Sequence, residues 1–125
     1  MKVLVDYSVW IDYFKSGERS EELDYLIDNN LIYINDLILT ELIPSLKLQH
    51  QSSLIAALKE VARLPLSIHW QQIQELQLSC LKNGINGIGI PDLIIAQNAM
   101  QNVCLIFSLD KHFSLMQEVL NCKVY

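Results

Sequence analysis

Four of the chain's fourteen acidic residues stand apart from the rest. Asp6 closes the apolar run Val3-Leu4-Val5, and Asp110 follows the run from Val103 to Phe107. Asp92 comes directly after Pro91, where a glycine-bearing loop, Gly84 to Ile90, gives way to a helix. Glu41 lies on a helix with Leu37, Ile38 and Leu48 at spacings that share one face. A carboxylate on an apolar stripe is costly unless it is paired or bound to a metal. The other acids, such as Glu18, Glu21, Glu22, Asp24, Asp28, Glu60, Glu75 and Glu118, fall where a solvated helix face puts them.

Taken singly, each of the four has an ordinary explanation. Asp6 and Asp110 suit loops, Asp92 is a favoured helix-start residue, and Glu41 fits the edge of its stripe. Taken together they converge. Ligands of open α/β sheets bind outside the carboxyl ends of the strands, and two strand ends and a loop-to-helix junction share that rim. Crowded carboxylates repel one another unless cations sit between them. Hard oxygen donors without a histidine cluster point to magnesium or manganese, not zinc. Such a site suits two-metal hydrolysis of a phosphodiester. Ser8, two residues after Asp6, is expected either to cap the next helix or to hydrogen-bond the carboxylate.

The elements that must position these acids alternate. Val3 to Val5 is an uninterrupted apolar run, as in a strand buried on both faces. A short helical turn from Val9 to Phe14 follows, then a helix from Ser20 with acids in its first turn, stopped by Asn29-Asn30. Leu31 to Ile34 is a second strand, and Asn35 is the N-cap of a helix from Asp36 to about Gln49 that Pro44 should kink. Further helices are expected from Ser52 or Ser53 to Ala62 and from Trp70 to Asn83, the latter with Ile73, Leu76, Cys80 and Leu81 inward and Gly84 at its end. Leu64 to Ile68 reads as an edge strand because it holds Pro65. Pro91 suits the first position of the helix carrying Leu93, Ile94, Ala96, Ala99 and Met100. Val103 to Phe107 is the clearest later strand, followed by a helix from Phe113 to Val119 and a last strand from Cys122 to Tyr125. Strands alternating with helices imply a parallel sheet in a three-layer α/β sandwich, and residues 1–125 make one domain.

Composition narrows the class. The chain is 51% hydrophobic and 18% charged, an apolar balance that two-sided burial or a partner-binding patch would each use. The formal charge of -5 lacks the basic excess of most nucleic-acid binders, although metal-holding carboxylates contribute to it. Cys80, Cys104 and Cys122 are widely spaced and odd in number, which suggests reduced buried thiols in a cytoplasmic protein. There is no signal-peptide pattern and no apolar run of transmembrane length. Gly84 to Gly89 follows a helix, so it is a loop delivering Asp92 and not a dinucleotide fingerprint. His50, His69 and His112 share no metal-ligand spacing, and of the two readings of His112, approach to the site or a solvated ring, the solvated ring is the one expected. Tyr7, Trp10, Tyr13 and Phe14 fit core or dimer interface better than RNA stacking.

Four stretches then align in order with one family. Val3-Leu4-Val5-Asp6-Tyr7-Ser8-Val9-Trp10-Ile11-Asp12-Tyr13-Phe14, Leu39-Thr40-Glu41-Leu42, Ile90-Pro91-Asp92-Leu93-Ile94-Ile95-Ala96 and Phe107-Ser108-Leu109-Asp110-Lys111-His112-Phe113 resemble the PIN-domain nucleases, and among them the VapC-type toxins of toxin–antitoxin systems. The resemblance implies a metal-dependent endoribonuclease using Mg2+ or Mn2+. It implies Asp6, Glu41, Asp92 and Asp110 as acidic ligands, with the hydroxyls of Ser8 and Ser108 beside the first and fourth. It also implies an antitoxin partner, a homodimer, and transfer RNA or ribosomal RNA as substrate. Two positions depart from the pattern. Tyr7 stands where the family often has threonine or another small residue, and His112 where it often has a further acid or amide. Lys15, Arg19, Lys47, Lys82 and Lys111 are the candidate phosphate contacts.

Two other functional classes compete. A non-catalytic PIN-like module that grips RNA or a protein would also account for the apolar surplus. A phosphatase or phospho-acceptor domain would also place acids at strand ends. It fits less well, because Ser8 stands where a haloacid-type phosphatase needs its second acid, and Lys111 follows Asp110 where a receiver domain needs the lysine in its place.

Overall fold

Val3, Leu4 and Val5 form a strand, β1, with no solvent-accessible surface, as an apolar run between two helical layers requires. They lie at the centre of a computed structural model that describes Met1 to Tyr125. In chain order, α1 (Tyr7–Phe14) and α2 (Ser20–Asp28) follow β1, then β2 (Ile32–Tyr33), α3 (Asp36–Leu48), α4 (Ser52–Lys59), α5 (Trp70–Lys82), α6 (Ile90–Gln101), β3 (Leu105–Phe107), α7 (Lys111–Gln117) and β4 (Lys123–Val124). The four strands are all parallel, in the order β2-β1-β3-β4. Seven helices flank the sheet in a three-layer α/β sandwich.

The strand order fixes where a site forms. From β1 the chain moves outward to β2, then returns to place β3 on the other side of β1. Beyond the carboxyl ends of β1 and β3 lies a topological switch point, the position where such sheets bind ligands. The backbone N–H of Asp6 donates to the carbonyl of Phe107 at 2.9 Å, so the two strand ends are locked side by side.

Several expected elements shift. Leu64 to Ile68 is not a strand. Ile34 donates to the Ala62 carbonyl, Leu64 donates to the Ile34 carbonyl, and one isolated bridge pairs Ile34 with Arg63. Pro65 has no N–H with which to continue the ladder. Val103 is no strand residue either: it is 87% exposed with φ of 52°, and ends the turn after α6. α1 and α7 begin two residues earlier than expected, and α4 stops at Lys59. Leu81 is exposed, so α5 buries Ile73 and Cys80, with Leu76 partly covered. Pro91 is the second residue of α6, because Ile90 opens it. The three cysteines are free and buried, and burial pushes all three thiols up.

α3 corrects the stripe assigned to Glu41. Its buried face is Ile38, Leu39, Leu42 and Leu46, while Leu48 is 83% exposed. Glu41 does not lie on that face. It projects from the side of α3 toward the sheet's carboxyl rim, where the charges of Asp6 and Asp92 act on it.

Candidate active site

Asp6 is the best anchored of the acids. It is the N-cap of α1, yet its carboxylate makes no capping hydrogen bond. Instead Oδ2 accepts from two hydroxyls, Ser8 Oγ at 3.0 Å and Ser108 Oγ at 2.8 Å. Each serine in turn accepts a backbone N–H, Ser8 from Leu109 and Ser108 from Asp110, both at 2.9 Å. A hydroxyl has one proton. With both oxygens accepting from backbone, both protons are directed at Asp6 Oδ2, although the two Oγ atoms lie 3.2 Å apart. Only 7% of Asp6 is exposed, and its Oδ1 takes none of these bonds. Of the two uses expected for Ser8, the structure selects the bond to the carboxylate.

Asp110 is the N-cap of α7, and its Oδ1 accepts from the backbone N–H of His112 at 2.9 Å. Asp92 sits in the first turn of α6 behind the glycine-bearing loop, where Gly84 and Gly87 adopt left-handed φ of 74° and 81°. Asp92 Oδ2 lies 3.3 Å from His112 Nδ1. Glu41 is carried by α3, whose start is fixed by Asn35: its Oδ1 accepts from the Ile38 N–H, and its Nδ2 donates to Asn98 Oδ1 on α6, both at 2.9 Å.

Two of the four acids, Glu41 and Asp92, feel the charges of the others. Burial raises the Glu41 carboxyl above its ordinary value, and the charges of Asp6 and Asp92 raise it further. Burial also raises Asp92, with the charges of Asp110 and Asp6 adding to it, while the hydrogen bond and charge of His112 oppose the rise. Asp6, Glu41, Asp92 and Asp110, though dispersed along the sequence, thus share one electrostatic environment. Oxygen donors that crowd and repel in this way fit a hard divalent cation, which relieves the repulsion and takes the ionised form of each.

His112 is the residue that sequence reasoning placed wrongly. It is half-buried, not solvated, with Nδ1 3.3 Å from Asp92 and 3.4 Å from Asp110. The available signal was its position in the first turn of the helix that Asp110 opens. Asn98 went unnoticed altogether: it is 1% exposed and ties α6 to Asn35 and to the Pro65 carbonyl. Among the candidate phosphate contacts, Arg19 is engaged by Glu22 at 2.7 Å and stacks over Phe107, whereas Lys15, Lys47, Lys82 and Lys111 are exposed.

The molecule is thus an α/β domain with an open parallel sheet and acids beyond adjacent strand ends at its switch point. The chain belongs to the PIN domain family, whose profile matches residues 3–119. Among solved structures it is similar to a chain of VapBC2 from Rickettsia felis bound to a DNA fragment from its promoter, with TM-score 0.79 and 22% identity over 100% of this chain and 98% of that one. It is similar to a chain of FitAcB from Neisseria gonorrhoeae, with TM-score 0.75 and 20% identity over 98% and 96% of the two chains. A third likeness is to VapBC-1 from nontypeable Haemophilus influenzae, with TM-score 0.75 and 18% identity over 100% and 97%. These identities establish a shared fold. No curated protein sequence matches the chain.

Proposed function

We propose that this chain is a metal-dependent endoribonuclease and the toxin of a toxin–antitoxin pair. What supports the proposal is a PIN-domain sheet with Asp6 and Asp110 beyond the ends of β1 and β3, where the charges of Asp6 and Asp92 act on Glu41 and those of Asp110 and Asp6 act on Asp92. These carboxylates would hold Mg2+ or Mn2+. A divalent ion bound there supplies a water of lowered pKa and positive charge beside the leaving oxygen.

The chain's own residues prepare that site. Ser8 and Ser108 fix one oxygen of Asp6 and leave the other for a ligand. The Ser108 and Asp110 backbone turn, closed onto Ser8 through the Leu109 N–H, keeps the fourth acid at a set distance from the first. Burial and the charges of their neighbours raise the proton affinities of Glu41 and Asp92 in the metal-free chain, a cost that a bound cation would relieve. In-line attack on phosphorus would leave a 5′-phosphate and a 3′-hydroxyl. The substrate assigned is transfer RNA or ribosomal RNA, with the exposed Lys111, next to Asp110, as a phosphate contact.

An antitoxin has a natural seat. Nine apolar residues, Trp10, Tyr13, Phe14, Ile27, Leu54, Leu58 and their neighbours, line a cavity of about 220 Å³ between α1, α2 and α4. The Trp10 Nε1–H is buried there without an acceptor. Such a surface takes the apolar face of a partner helix. The similar solved chains come from VapBC and FitAcB complexes, which favours an antitoxin as the occupant. The proposal extends to a homodimer, and no helix is long and apolar enough to cross a membrane.

The test is incubation of the pure protein with transfer RNA or ribosomal RNA and magnesium. Cleavage is expected that chelation stops and that Asp6→Asn abolishes. Unchanged cleavage by Asp6→Asn would refute the assignment.

A further inference from the structure

The acids at the sheet rim share their pocket with an imidazole. One donor atom each from Asp92, Asp110 and His112 lie within 4.8 Å of one another. His112 Nδ1 is 3.3 Å from Asp92 Oδ2 and 3.4 Å from Asp110 Oδ1. Adjacent donors on an octahedral ion with bonds of about 2.1 Å are roughly 3 Å apart. The two separations from His112 Nδ1 are therefore near those that one shared ion would impose, and the two carboxylates lie within 4.8 Å of each other. The ring is also pinned. The backbone N–H of His112 donates to Asp110 Oδ1, and the side chain is only 30% exposed. With Nδ1 turned to the carboxylates, Nε2 is left to carry the ring proton when Nδ1 gives its lone pair.

We propose that His112 is itself a metal ligand, so that the site is a mixed nitrogen–oxygen centre preferring Mn2+ or another first-row transition ion over Mg2+. This rests on the metal-dependent reading of the acid cluster given above. Magnesium favours oxygen donors and retains its waters, whereas imidazole suits later first-row ions. In the competing arrangement, Nδ1 carries the proton and His112 is a hydrogen-bond partner of Asp92 that leaves when a cation binds. That arrangement gives an all-oxygen site with no gain for manganese.

The two are separable by pulsed electron paramagnetic resonance on the full chain loaded with Mn2+, together with calorimetric titration of Mn2+ and of Mg2+. A nitrogen coupling to manganese is expected that changes to the 15N pattern when histidine is isotopically labelled, a readout that needs no substitution. His112→Asp should remove the coupling and lower the manganese-over-magnesium preference roughly tenfold. Circular dichroism on that variant checks that it folds. Manganese binding without nitrogen coupling overturns the assignment of His112 while leaving an oxygen-only metal site. Absence of binding by either ion at millimolar concentration overturns the metal reading itself, and His112 as a ligand with it.

Discussion

Asp6 and its two serines set the first prediction. Asp6→Asn keeps the side chain's shape and both hydroxyl contacts but removes the charge. Loss of several kcal/mol of charge stabilisation corresponds to at least ~100-fold in cleavage rate, measured on RNA at saturating magnesium. Ser8→Ala removes one donor to Asp6 and one acceptor for Leu109, each worth about 1 kcal/mol. A rate loss of roughly tenfold and a lower urea midpoint are expected together. The second prediction concerns pH. Folding raises Glu41 and Asp92 above their ordinary values of 4.5 and 3.8, so in that window the folded chain binds more protons than the unfolded one. The metal-free protein should then lose stability as pH rises through and above those values, with no effect below them. Urea midpoints in chelator should fall less steeply with pH for Glu41→Gln than for wild type, and magnesium should restore the wild-type midpoint. Parallel slopes would show that the acids do not crowd. At this scale much was legible in the sequence. Asp6, Asp92 and Asp110 were marked by the ends of apolar runs or by a loop-to-helix junction. Glu41 was marked by a stripe that α3 does not have. His112 was missed because its partner Asp92 lies in another element, and histidine spacing along the chain carries no trace of that contact.

α3 shows how an element aims a side chain. Asn35 caps it through Oδ1 and ties it to α6 through Nδ2, with no exposed surface. Asn35→Ala should cost about 1 kcal/mol for the cap and about 1–3 kcal/mol for the buried Asn98 amide left without its partner. Asn35→Ser keeps a cap acceptor without adding a charge but loses the donor to Asn98, so its cost should come mainly from the second contribution. Chemical denaturation of the two variants separates them: equal costs would mean that the cap contributes nothing, and an unchanged midpoint for Asn35→Ser would mean that the α3–α6 tie contributes nothing. The cap was readable from one residue because it is local. The tie was not, because Asn35 and Asn98 are brought together only by the fold. The same division explains the other shifts. β1 was found because its burial on both faces leaves an uninterrupted apolar run. The tract from Leu64 to Ile68 alternates its apolar residues with Pro65 and Ser67, but Pro65 removes the N–H a strand needs, and only one bridge forms. α1 starts early because Asp6 follows β1 directly and is itself the helix N-cap, and α7 starts early because only Ser108 and Leu109 separate β3 from its N-cap Asp110.

For the whole molecule, the apolar surplus of the composition divides between two uses. Most of it fills a single core of 28 buried residues on both sides of the sheet. Part of the rest lines the cavity between α1, α2 and α4, whose lining includes none of the four acids. A partner seated there would leave the carboxylates untouched by direct contact, so binding and cleavage should be separable by substitution. Ala57 is the position to change: it is exposed on α4, lines the cavity, and tolerates a long side chain within a helix. Ala57→Arg would place a charge where the partner's apolar face must lie, and an unpaired charge at such an interface is costly. Co-expression with the product of the adjacent small gene, followed by pull-down, should recover the complex for wild type and not for Ala57→Arg. Cleavage of RNA by the free variant should match wild type, because α4 carries none of the four acids. An intact complex with Ala57→Arg would put the antitoxin elsewhere on the surface. Loss of cleavage along with binding would mean instead that the cavity supports the acid cluster through α1, at whose N-terminus Asp6 stands.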